Sequence, residues 1–328
     1  MRRGATIAEA VMARQRSSQL KWHRNFAEGL LYNDQALALY DPVEDRPLAT
    51  RFLQDPRVLN LMSRSGALWE LGYPEAALAD AEQALSEARE IGHAGALMHA
   101  ITNICLIQVI SGNYATAQAQ SDELIALAEE KGSAYWKTSG MLRRAGVLAL
   151  TGKASDAVRI FTSVIPVWRS TGSRIFSPVF LALLARACGE LGRFDEAWSY
   201  IGEAMTAIET TKETWYEADV HRIAGEIALM SPERDAARAE AYFERALEVA
   251  RAQQAKSWEL RAAMSMARLW AGQGKRDQAC ELLTPVYGWF TEGFDTLDLK
   301  QAKALLDELT QWGSNSALAH IEPDASHE

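Results

Sequence analysis

The chain of 328 residues carries a formal charge of −9, with 48% apolar and 23% charged residues. This balance suits a folded protein with a substantial core and excludes broad nucleic-acid binding, which needs a basic stripe to displace counterions from phosphate. No apolar run has the length of a membrane span and no leader-type apolar segment follows Met1, so a cytoplasmic protein away from the membrane is expected.

The first basic residues, Arg2, Arg3, Arg14, Arg16, Lys21 and Arg24, form a local patch in which Glu9 is the single acid. Residues 5–40 read as an irregular helical pair, closed by Asp41-Pro42 because proline disfavours helical geometry in the residue before it. A connector then runs from Val43 to Pro56, with a short helix expected at Leu48–Gln54; residues 1–56 form the N-terminal unit. Beyond it a period takes over. Gly72, Gly112, Gly152 and Gly192 recur every 40 residues, Arg234 follows after 42, and Gly274 restores the 40-residue step. A fixed period of this size marks a stacked solenoid, in which each unit buries its apolar face only against its neighbours.

Residues 57–292 therefore divide into six helical hairpins. The second helix of each carries three packed positions spaced four and three apart, which share one face. They are Ala77, Ala81 and Ala84, then Ala117, Ser121 and Leu124, then Ala157, Phe161 and Val164. Ala197, Ile201 and Ala204 follow, then Ala239, Phe243 and Ala246, and finally Ala279, Leu283 and Val286. Gly92, Gly132 and Gly172 mark the opposite ends of the first three hairpins as left-handed helix caps. Trp136, Phe176, Tyr216 and Trp258 form an aromatic stripe beyond those ends, expected to pack between repeats rather than to form a ligand platform. Pro166 and Pro285 fall inside second helices, so a kink or an early stop is expected at both. Ser231-Pro232 replaces the tight turn of the fifth hairpin and is expected to cap its second helix. A capping helix is expected over residues 293–312, from the apolar spacing of Leu297, Leu299, Ala302, Leu305, Leu306 and Leu309, followed by a disordered tail at 313–328.

The Ala157-x3-Phe161 and Ala239-x3-Phe243 spacing, the Gly-x4-Ala turn and the small crossing residues Cys105, Ala145, Ala185, Gly225 and Ala267 resemble tetratricopeptide repeats with an extended unit. The fold expected is an all-α, right-handed superhelical solenoid of tetratricopeptide-like hairpins with a period of about 40 residues. The stretch Gln254–Ala263, Leu269-Trp270, Gln273–Arg276 and Leu283–Thr296 is similar to the tail of a bacterial family of large signalling proteins. In that family a class III adenylate or guanylate cyclase domain and a predicted nucleotide-binding ATPase module precede a repeat region. Leu39–Pro42, Gln54–Pro56 and Trp69–Pro74 resemble the start of the same region. The resemblance runs from about Phe26 to Leu309, lacks the cyclase and ATPase parts, and transfers no catalytic residue. It implies the regulatory or sensory region of such a protein, free-standing or as part of a longer chain, with fused or associated cyclase/ATPase modules as partners.

The sequence offers no catalytic constellation, cofactor motif or metal site of its own. Gly272-Gln273-Gly274-Lys275-Arg276 lacks the Ser or Thr of a phosphate loop and joins two helices. The six histidines show no paired ligand spacing. Cys105, Cys188 and Cys280 are read as reduced, buried core thiols. Adjacent carboxylates such as Glu129-Glu130 point in different directions on a helix and serve solvation. The candidate site is the concave groove lined by first helices. There Asp219, Arg222 and Glu226 fall at i, i+3 and i+7, Arg261, Met264 and Arg268 repeat the spacing one hairpin later, and Arg186 shares the register of Glu226 and Arg268. Arginine forks suit carboxylate or phosphate recognition, so a protein or peptide partner is expected in this groove. Ion pairing between adjacent repeats is the competing explanation. The alternative function is a small-ligand sensor for an ATPase-type transcriptional regulator.

Overall fold

Helices begin and end in this chain where its turn residues dictate. The computed structural model describes residues 25–43, 45–46 and 55–318, with side chains to residue 311. Among these residues there are fourteen helices: α1 Phe26–Ala38, α2 Pro56–Glu70, α3 Pro74–Ile91, α4 Ala94–Ile110, α5 Tyr114–Glu130, α6 Ala134–Leu150, α7 Ala154–Ser170, α8 Ser177–Glu190, α9 Phe194–Thr211, α10 Glu217–Met230, α11 Ala236–Ala252, α12 Lys256–Gly272, α13 Arg276–Tyr287 and α14 Leu297–Leu318. The expected first half of the N-terminal pair and the helix at 48–54 lie outside the described residues. From α2 onward the helices pair as six antiparallel hairpins, and the all-helical, tetratricopeptide-type solenoid read from the period is the observed fold.

The period is written in hydrogen bonds. In the first hairpin the N–H of Tyr73 donates to the carbonyl of Leu68 at 2.9 Å, closing a Schellman-type turn, and Asn113, Lys153, Arg193 and Lys275 donate to residues five back in the same way. The glycine before each donor takes a positive φ, from 73° at Gly192 to 92° at Gly72. The fifth turn is two residues longer: Asp235 donates to Ala228, seven residues back, and Arg234 sits at φ 40°. This corrects the expected cap, because Ser231 ends α10 while the Asp235 side chain accepts from the N–H of Arg238 and opens α11. Asp55 caps α2 similarly, with Pro56 in the first turn where a missing N–H removes no intrahelical bond.

Every packed position of the second helices is buried, Ala77 through Val286, and the crossing residues Cys105, Ala145, Ala185 and Ala267 are fully enclosed. A Cβ on Gly225 would stand 2.5 Å from Cε1 of Phe243, so only glycine lets α10 approach α11 this closely. The left-handed caps continue past Gly172 with Lys212 at φ 60° and Gln254 at φ 56°. These two non-glycine positions hold the register, although their residue types conceal it. Pro166 does not stop its helix: α7 continues to Ser170, because Pro166 and Thr162, whose carbonyl it leaves unbonded, both face solvent. Pro285 does coincide with an early end, at Tyr287. α14 runs to Leu318, six residues past the expected boundary at 312. Cys105 and Cys188 are buried, whereas Cys280 is half-buried, which corrects its placement in the core.

The superhelix closes on itself. The turn edge of the first two hairpins lies against the opposite edge of the sixth hairpin, at the start of α12, and the segment leading into α14. Trp69 and Trp258 meet edge-on, with centroids 4.6 Å apart. The Ser257 hydroxyl donates to the carbonyl of Trp69 at 2.5 Å, and Arg261 donates to the carbonyl of Ile110 at 2.6 Å. The Glu292 carboxylate accepts the N–H groups of Glu75 and Ala76 at 3.0 and 2.9 Å, placing a negative charge at the positive end of α3. At the next hairpin, a Cβ on Gly112 would lie 2.5 Å from Cβ of Leu297. Gly112 therefore serves twice, once by its φ of 82° and once by leaving room for the last helix.

Candidate functional site

First helices face inward, and the closed superhelix buries polar groups along their wall. α10 is the centre of this wall. Arg222 reaches Asp219 and Glu226, each at 2.5 Å, and Arg186 on α8 joins Glu226 at 3.1 Å across the repeat boundary. Ser265 on α12 donates to the same Glu226 carboxylate at 3.3 Å. One arginine from the preceding hairpin, one from the same helix and a hydroxyl from the following hairpin thus converge on Glu226.

The electrostatics follow from burial and pairing. Burial pushes the Asp219 carboxyl upward, but Arg222 and Arg261 outweigh it and hold the group below the usual carboxylate range. Burial likewise works against the charge of Arg222, and Asp219 and Glu226 overcome it and hold the guanidinium above its ordinary value. Tyr216, enclosed beside Asp219, is raised well above a normal phenol by burial and by that carboxylate. Asp219 and Arg222 therefore stay ionised as a paired charge across the physiological range.

The seven sequence-chosen residues separate into three groups. Arg186, Asp219, Arg222 and Glu226 form the network just described. Arg261 belongs to the seam, bonded to Asp298 at 2.8 Å and lying over the rings of Trp69 and Trp258. Met264 packs into the core at 3% exposure, and Arg268 lines an open cleft of about 360 Å³ with Glu226, Arg234 and Ser265. Spacing alone brought out neither Trp69, Asp298 and Glu292 nor the buried Arg143 on α6. The aromatic stripe packs between repeats, with Tyr216 edge-on to Trp258 at 5.1 Å and Phe176 edge-on to Trp215 at 6.1 Å.

His221 sits on the far side of α10, 8% exposed and 6.2 Å from the ring of Tyr242. Burial first, then the charge of Arg245, lowers its pKa to about 4. Between about pH 6.5 and 4 the unfolded chain binds a proton that the folded chain refuses. Stability is therefore expected to fall as pH drops through that window and to level off below it, by up to about 3 kcal/mol. Urea titrations at pH 7 and pH 4.5 check this: His221→Gln should flatten the difference, and an unchanged slope would exclude His221 as its source.

Among the described residues no cluster of His, Cys, Asp or Glu is placed to hold a metal ion, and no helix is long and apolar enough to cross a membrane. Fold and inner wall together define a helical-repeat protein of the tetratricopeptide type. No family model matches the sequence, and no curated protein matches it significantly. Solved structures do match in shape. Aspartyl phosphate phosphatase F from Bacillus subtilis aligns over 90% of this chain and 72% of its own, with 13% identity and a TM-score of 0.56. A Rap protein complexed with competence and sporulation factor aligns over 94% and 76%, with 12% identity and a TM-score of 0.57. The Rap conjugation gene regulator of plasmid pLS20, in complex with the Phr* peptide, aligns over 88% and 70%, with 12% identity and a TM-score of 0.58. At these identities the likeness is one of fold.

Proposed function

We propose that this chain is a non-catalytic scaffold whose inner wall binds a peptide or protein segment. The observation that carries the reading is the wall itself: first helices of successive repeats present Arg186, Arg222, Glu226 and Ser265 toward one line, joined across repeat boundaries into one continuous polar face on the inside of the superhelix. Two of the structurally similar proteins were solved with a peptide or a peptide factor bound, which supports an extended ligand in a superhelix of this shape. The sequence resemblance to the tail of cyclase/ATPase signalling proteins adds the context of a cytoplasmic sensory or regulatory region.

A selection of random dodecapeptides against the immobilised full chain tests the reading. An enriched peptide present at a hundred times its Kd should stabilise the fold by about 2.7 kcal/mol, because it binds the folded form alone. Glu226→Ala should weaken that peptide's binding. Absence of any enriched peptide, combined with a thermal shift produced by nucleotides or metabolites, would replace this reading with that of a small-ligand sensor.

A further inference from the structure

Arg143 on α6 is 5% exposed, yet neither its Nε–H nor its Nη2–H group has a hydrogen-bond acceptor. These two donors lie on the same edge of the guanidinium and form its side-on fork. In the same molecule Arg193 uses that edge to grip both oxygens of Glu196. Arginine at such a position normally has a carboxylate or phosphate opposite it, because an unpaired charge removed from water is among the least favourable arrangements a core can hold. Burial does lower the pKa of Arg143, and the opposing influences come only from the Cys105 thiol and Tyr135 phenol, neither of them an anion at neutral pH. The inner wall thus contains a donor pair without its counter-charge.

What lies over the guanidinium is itself unusual. The ring of Phe176 lies over the guanidinium, 4.9 Å from its carbon, and Phe176 holds φ at 66° in the left-handed region that bulky residues avoid. Glu213 stabilises that conformation by accepting the Phe176 N–H at 2.9 and 3.0 Å. Phe176 also lines a narrow inner cavity with Asn103 and Trp215, and Asn103 stands one 40-residue step before Arg143 on the same ladder of first helices. A strained aromatic residue thus links an orphaned cation, over which it lies, to an inner cavity, which it lines.

We propose that Arg143 is the anchor for a carboxylate of the bound peptide, taken bidentately by Nε and Nη2 when the Phe176 ring swings aside. The peptide part of this assignment rests on the proposed function; the anion part does not. An incoming carboxylate supplies the missing charge, and its chain then follows the ladder from Arg143 toward Asn103. Arg186 and Arg222 already share Glu226 with Ser265, whereas Arg143 keeps its donor pair without an acceptor among the described residues.

The test uses the full chain, with the Arg143 Nε–H resonance assigned by comparison with Arg143→Met. Acetate and inorganic phosphate are titrated separately. The expected result is a saturable shift of that resonance with acetate, together with about tenfold or greater loss of retention on Arg143→Met for a heptapeptide pool bearing free carboxylates. An amidated pool lacking Asp and Glu should bind both proteins alike. Arg143→Met should fold and melt no lower than the parent, since it removes a buried unpaired charge, whereas a merely structural arginine would lower the melting point. No shift with acetate overturns the anion site, even if peptides bind. A shift with phosphate alone overturns the carboxylate assignment. A shift with acetate but no retention of either pool supports the anion site and removes the peptide reading beneath it.

Discussion

Arg222→Met is expected to destabilise the protein by about 3–5 kcal/mol, because it strands Asp219 without its nearest cation. The Asp219 side chain is 1% exposed and cannot recover its lost partner from water. Arg261 contributes a longer-range attraction, but its guanidinium is committed to Asp298 and the Ile110 carbonyl. Glu226 retains Arg186 and Ser265, so the loss falls on Asp219. Asp219→Asn added to Arg222→Met should recover most of the loss, since the double variant buries no unpaired charge. The pH dependence separates this from a packing effect. In the parent, the folded pKa of Asp219 lies below its unfolded value, so its contribution is present at neutral pH and is lost as pH falls below about 4. In Arg222→Met the burial that Arg222 had offset should lift the Asp219 carboxyl above its unfolded value. The deficit should then shrink as the medium is acidified and the carboxyl takes a proton. Chemical denaturation at pH 7 and pH 5 measures both; a loss under 1 kcal/mol at pH 7, or one independent of pH, would show that the network is not held by this pair.

The repeat architecture was legible because each unit repeats the same local physics. Gly72 and its counterparts announce the turn by the conformation they alone tolerate, and Ala77, Ala81 and Ala84 announce the face by spacing. Even Arg234, which breaks the glycine series, kept its register by adopting positive φ. The shared register of Arg186, Asp219, Arg222 and Glu226 was legible too, and in the structure the four pair with one another, as the competing explanation of ion pairing had it. The identity of the partners one hairpin later was not. Arg261 shares the spacing of Asp219 but pairs with Asp298 and with the carbonyl of Ile110, 151 residues away in sequence. Such contacts depend on a small rotation per repeat accumulated over four hairpins, and no local pattern encodes that sum. Met264 shows the same limit at short range: it shares the register of Arg222, yet it is core. Arg143 lacked any periodic counterpart, since the equivalent positions are Asn103, Leu183 and Ile223. Only its burial without an acceptor distinguishes it.

Closure should make this solenoid behave less like a one-dimensional array than its repeats suggest, and Trp258→Ala is the substitution that exposes the difference. An open array is stabilised by nearest-neighbour interfaces and loses cooperativity as it lengthens. Here Trp258, 1% exposed, packs against Tyr216 in its own neighbourhood and against Trp69 five hairpins away. Truncation to alanine should remove about 3–5 kcal/mol by leaving a large cavity. Phe243→Ala should remove a similar amount, because Phe243 is equally enclosed, but it lies between α10 and α11 and not at the seam. The two variants should therefore match in total stability and differ in where protection is lost. In Trp258→Ala, hydrogen exchange should accelerate at Gly72–Ala77, whose first-turn amides are held by Glu292, and the molecule should lengthen in small-angle scattering as the two edges part. In Phe243→Ala those amides should keep their protection relative to global unfolding. Equal exchange at Gly72–Ala77 in both variants would show that the seam is a passive contact. Selective loss in Trp258→Ala would establish that the groove is held shut by its own ends, so that any peptide entering it must contend with the Trp69–Trp258 contact.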